Sequence, residues 1–268
     1  SSIGNITGNF TGNYAQSENG QANGGVIYNY SENNDSQINQ IISDFKNNHV
    51  ESENNQANGG AIFNGKAQIG DIKGNFSDNY VISTNNQANG GAVNNIMGTI
   101  SSITGNFSNN SVSAGARATG GAINNNNTGV IEALTGNFIN NSAKSTGGAA
   151  LARAGAILNL GTINSISGDF ENNYAETNGT FSIGGAILNN YWNDKSTGVN
   201  KLAGNFKGNY AKTTGTGEDA YAQGGAIWNS AQMNIDDIAS SSFIGNYVSG
   251  ADAKTDGGAI WNAGNITF

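Results

Sequence analysis

With 268 residues, 40 glycines, no proline and no cysteine, the chain lies far from average globular composition. Glycine at this level without proline or a three-residue period excludes collagen, and the lack of cysteine excludes disulfides and thiolate metal sites. A net charge of −8 disfavours nucleic acid or an anionic membrane as partner, and low charge (11%) among regularly placed Ile, Val and Phe argues against disorder.

The sequence repeats itself from one end to the other. Each unit opens on an apolar pair three residues apart: Ile3/Ile6, Ile38/Ile41, Ile69/Ile72, Ile100/Ile103, Ile131/Leu134, Ile163/Ile166, Val199/Leu202 and Ile235/Ile238. A Phe-x-x-Asn motif follows at Phe10/Asn13, Phe45/Asn48, Phe76/Asn79, Phe107/Asn110, Phe138/Asn141, Phe170/Asn173, Phe206/Asn209 and Phe243/Asn246. Successive phenylalanines stand 35, 31, 31, 31, 32, 36 and 37 residues apart. Next come polar linkers at residues 14–23, 49–58, 80–89, 111–119, 142–153, 174–183, 210–223 and 247–256, which read as insertion-tolerant loops. Each unit closes on a small-small-apolar run ending in Asn29, Asn64, Asn95, Asn125, Asn159, Asn189, Asn229 or Asn262, with a second variable loop after it, as at 190–198.

Short clusters rich in β-branched and aromatic residues, bounded by glycine and asparagine, predict strands. A helix is disfavoured because each internal glycine costs about 1 kcal/mol relative to alanine. A fixed period in this range, with three short apolar clusters per unit, predicts an all-β parallel β-helix of about eight coils, each of three short strands and one 31–37-residue repeat. Coils stacked at about 4.8 Å would place the eight phenylalanines in one column. Ile27, Ile62, Val93, Ile123, Ile157, Ile187, Ile227 and Ile260 would form a second. The asparagines closing each motif, Asn13 and Asn29 with their counterparts, would form amide ladders that satisfy buried polar groups. Residues 1–268 read as a single repeat domain, a fragment or processed segment of a longer chain.

Tandem Phe-x-x-Asn alternating with Gly-Gly-Ala-(Ile/Leu/Val) resembles the repeat of chlamydial polymorphic membrane proteins and related autotransporter passengers. The second motif is matched strictly at 59–62, 90–93, 120–123, 184–187, 224–227 and 257–260. Gly24-Gly25-Val26-Ile27 and Ala154-Gly155-Ala156-Ile157 each deviate by one residue, while Gly147-Gly148-Ala149-Ala150 falls at the wrong offset from Phe138. The resemblance implies a right-handed parallel β-helix on a bacterial surface or in secreted form, acting as an adhesin. It also implies export through a C-terminal outer-membrane barrel. No barrel segment occurs in these residues, and the cysteines common in chlamydial members are missing.

No catalytic constellation emerges. The single histidine, His49, stands where Tyr14, Tyr80, Tyr174, Tyr210 and Tyr247 stand in other units and reads as their substitute. Asp236-Asp237 and Glu218-Asp219 are the only adjacent carboxylate pairs, and both read as solvated surface. Calcium nonapeptides and phosphate loops are absent, so no cofactor or metal is expected. Sequons such as Asn5-Ile6-Thr7 are expected by chance in so asparagine-rich a chain.

One row does suggest binding. If the isoleucine of each Gly-Gly-Ala-Ile points inward, the next residue points outward: Tyr28, Phe63, Asn94, Asn124, Leu158, Leu188, Trp228 and Trp261. An exposed apolar stripe of this kind marks a contact surface, unless a loop covers it or the phase is reversed. The leading expectation is a non-catalytic surface adhesin, binding a host or neighbouring-cell protein or glycan through this row and the loops. A filament subunit stacking on itself end to end is the alternative. A polysaccharide-active β-helix enzyme is the third reading. No membrane insertion by this segment is expected, since the low-charge stretch 147–162 is too short and is broken by Arg153.

Overall fold

The computed structural model describes residues 1–33, 35–148, 150–191, 197–235 and 241–267. In the first coil the chain passes through β1 (Ser2–Thr7), β2 (Phe10–Thr11), β3 (Tyr14–Ser17), β4 (Ala22–Asn23) and β5 (Ile27–Tyr30). Later coils repeat this order, and each strand pairs in parallel with its counterpart one coil along. Sheets of nine, eight, eight and fourteen strands result, with no helix among the described residues. The chain is a parallel β-solenoid with one repeat per coil.

The main core lies between the β1, β2 and β5 sheets. Phenylalanine rings from Phe45 to Phe243 stack with centroids 4.7–4.9 Å apart and planes within 4°. The aliphatic column from Ile27 to Ile260 runs opposite, in register from coil to coil. Ile69 and Ile72 both face inward with two residues between them, so the strand bends there. The eighth coil departs from this spacing. Val199 pairs with Met233 and Leu202 with Ile235, with a register shift between them. Ile235 therefore fills the second slot, not the first, because Met233 and Ile235 are only two apart on a plainly alternating strand. Ile238 lies outside the described residues, as do Asp236-Asp237, Ala149 and most of the 190–198 insertion.

The linkers are not simple connectors. Residues 14–23 and their counterparts hold β3 and β4, which run out and back and pack on each other. Val50, Val81 and Val112 of the outgoing strands meet Ala57, Ala88 and Ala118 of the returning ones in a small second core. Each coil thus projects a thin hairpin, and stacking turns the hairpins into a continuous fin. In the seventh coil both arms fuse into one strand, Tyr210–Gln223. Gly147 and Gly148, at the fin's tip between Ser142–Ser145 and Leu151–Arg153, belong to the bend and not to a ninth motif.

The paired small residues form the neck between fin and core. The first adopts a left-handed conformation in all eight coils, with φ of 58–68°, Ala154 included. The second is glycine because the neighbouring coil's backbone lies against it. A Cβ on Gly60 would stand 2.8 Å from the Tyr80 carbonyl oxygen, where the next hairpin leaves.

At that same neck Tyr14, His49 and Tyr80 stack at 5.1 and 4.6 Å, and Tyr174, Tyr210 and Tyr247 at 4.9 and 5.0 Å. His49 takes the place of a tyrosine in the column. Burial foremost, with Glu176 and the flanking phenols adding to it, pushes the Tyr210 hydroxyl well above its ordinary pKa. Tyr28, Tyr80 and Tyr221 shift the same way, burial being the main cause in each. A phenol with a raised folded-state pKa contributes fully below about pH 10, and that contribution is lost as pH climbs above it. The denaturation midpoint is expected to stay flat to about pH 9 and to fall above about pH 10. Phenolate absorbance should show a fraction of tyrosines ionising late; a single titration at the ordinary value would contradict the burial.

Candidate functional site

The row Tyr28, Phe63, Asn94, Asn124, Leu158, Leu188, Trp228 and Trp261 is one column, paired residue to residue through the β5 sheet. It is not an exposed stripe. Tyr28 is 55% exposed and the two tryptophans are half-buried, whereas Phe63, Asn94, Asn124, Leu158 and Leu188 are buried. The cause is the fin, whose returning strands lie alongside the column. Ile183 of a returning strand packs with Leu158, Leu160 and Leu188. Trp228 Nε1 donates to Gln223 Oε1 of another at 3.1 Å.

What remains open is a groove in the corner between fin and β5 sheet, and its chemistry changes along the rod. At one end Tyr28 stacks on Phe63 (5.2 Å) and Tyr30 (5.9 Å). At the other, Trp228 stacks on Trp261 (4.6 Å) and Phe181 on Tyr221 (4.1 Å). Between them a cavity of about 300 Å³ is lined by Arg117, Arg153, Asn124, Asn126, Leu158 and Leu160, among others, with no carboxylate in its walls.

Arg117 and Arg153 are the only arginines in the chain. They lie on successive returning strands, where Arg153 pairs with Thr119, two residues from Arg117. Burial lowers the pKa of both, and the Arg117 charge adds to the effect on Arg153. A guanidinium stays charged regardless. Neither guanidinium hydrogen-bonds or ion-pairs with a described residue; the ion pairs described are Lys73–Asp71, Lys207–Glu171 and Lys212–Glu176. Arg153 Nε is buried without a partner, as are Asn94 Nδ2 and Asn124 Oδ1, although Asn124 Nδ2 donates to Asn94 Oδ1 at 2.8 Å. That short amide ladder has nothing to continue on, because Phe63 and Leu158 flank it in the column.

No family model, curated protein or solved structure matches the chain.

The two structural asparagine sets behave differently from the contact row. Asn13, Asn48, Asn79, Asn110, Asn141, Asn173, Asn209 and Asn246 form one ladder, each side-chain amide donating to the next at 2.9–3.0 Å. Asn29, Asn64, Asn95, Asn125, Asn159, Asn189, Asn229 and Asn262 form the other at 2.7–2.9 Å. Both belong to the scaffold. His49 is held between two rings, Glu218 and Asp219 are exposed on the fin, and no group of three or more His, Asp or Glu that could hold a metal occurs among the described residues. No helix among the described residues is long and apolar enough to cross a membrane.

Sequence reasoning missed the arginines. Arg153 sits directly before a small-small motif and Arg117 three residues before one, so alignment on the period would have put them on equivalent strands of successive coils.

Proposed function

We propose that the chain is a non-catalytic, adhesin-like β-solenoid of a bacterial surface or secreted protein, holding a partner protein or glycan in the groove beside the fin. The carrying observation is that groove. It spans the second to fifth coils of a rigid scaffold, carries two unneutralised arginines, and is flanked along the same column by aromatic stacks. Loops and clefts on rigid scaffolds are where recognition concentrates. The alternating Phe-x-x-Asn and Gly-Gly-Ala-Ile motifs support surface display through their resemblance to autotransporter passengers. The enzyme reading has less support, since His49 is occupied by stacking and Glu218 and Asp219 are exposed on the fin.

Beads coated with the purified protein, offered to panels of bacterial and animal cells, are expected to adhere saturably and to be competed off by soluble protein. Absence of saturable adherence, or release of reducing ends from incubated polysaccharides, would overturn the reading.

A further inference from the structure

Resting on that reading, we infer that the middle of the groove binds an anionic saccharide, with a sugar carboxylate received between Arg117 and Arg153. The chain carries net charge −8, yet the charged side chains lining this cavity are both cationic, and no described residue neutralises them. Planar guanidinium forks suit a carboxylate. Around them stand Gln56, Gln87 and Asn126, amides that both donate and accept. Sugar hydroxyls do both as well. Leu158 and Leu160 supply an aliphatic wall for the C–H face of a ring.

Neither arginine that lines the cavity has a hydrogen-bonding or ion-pairing partner among the described residues, so an anion entering there meets guanidinium charge not already satisfied by the protein. An acidic peptide fits less well. Extended peptides dock by adding to a free strand edge. Here the backbone groups of the strands beside the cavity are already paired to the coils on either side.

Calorimetric titration of the intact protein with oligoglucuronate, the matched neutral oligoglucan and poly-glutamate tests the assignment. Oligoglucuronate is expected to bind at least tenfold more tightly than either of the others, and less tightly as salt is raised. The double variant Arg117→Gln/Arg153→Gln should lose that preference while keeping its unfolding midpoint. Should the double variant not fold, Asn126→Trp, which obstructs the groove from a half-buried position, should abolish binding instead. No binding of oligoglucuronate, equal binding of the neutral glucan, equal binding of poly-glutamate, or a preference that survives the folded variants would each overturn the assignment. Cell adherence is scored separately. Adherence without uronate binding sinks the saccharide site and leaves the adhesin reading; uronate binding without adherence does the reverse.

Discussion

Gly91→Ala is expected to destabilise the central coils by about 3–5 kcal/mol, at the upper end for a single substitution. A Cβ there would overlap the Gly121 carbonyl and lie 2.8 and 2.9 Å from the Ser111 oxygen and nitrogen. All of these are backbone atoms, and the Ser111 N–H is fixed in a hydrogen bond to the Asn79 carbonyl of the preceding coil, so there is no side chain to swing aside. Gly90→Ala is the instructive contrast. Its demand is a left-handed backbone at φ 64°. A Cβ there would also overlap the Val93 carbonyl oxygen, but that contact lies within the same turn, and Ala154, at φ 58° in the equivalent position of the fifth coil, shows that the turn can open around one. The cost should be about 1–2 kcal/mol. Chemical denaturation, with hydrogen exchange to locate the loss in adjoining coils, distinguishes the two. Equal effects would mean that conformation, and not close approach at the neck, is what the second glycine serves.

Asn141→Ala should cost a comparable amount, about 3–5 kcal/mol, through stranded polar groups. Fully buried, Asn141 accepts from the Asn110 backbone N–H and side-chain amide at 3.0 Å each. It also donates to the Phe107 carbonyl at 2.9 Å and to Asn173 Oδ1 at 3.0 Å. Alanine removes all four bonds and leaves both backbone groups facing the interior, each orphan costing about 1–3 kcal/mol. Asn13→Ala removes the same side chain at an exposed rung that accepts nothing from a preceding coil, so its cost should be about 1 kcal/mol. Similar denaturation midpoints for the two variants would show that the ladder is not a structural element of the interior.

Much of this scaffold was legible in the sequence because like positions recur. A phenylalanine every 31 or so residues stacks only if coils stack, and the asparagines three residues later have no other economical use. A third signal went unread. The residue before each of those asparagines is Gly, Asn or Asp, and it has a left-handed φ, as at Gly12, Asn47, Asp78 and Asn109. The fin was hidden because its core is built from Val and Ala, too small and too diluted by polar neighbours to give a strand signal. From that omission followed the misreading of the contact row, since alternation assigns Leu158 and Leu188 to the outside of the β5 sheet but cannot say that Ile183 packs against them. The arginines stood outside both repeating motifs, so periodicity passed over them.

The three consecutive 31-residue spacings between Phe45 and Phe138 have a consequence for how such a molecule can change. Since a coil touches chiefly the one before and the one after, excising a unit such as residues 76–106 would rejoin equivalent atoms, with Phe107 meeting Phe45. A gene of this kind can lengthen or shorten by recombination between its own copies without passing through an unfoldable intermediate. Each such event would slide the aromatic patches nearer to or farther from the cationic one, resetting the distance between recognition elements in steps of a single coil.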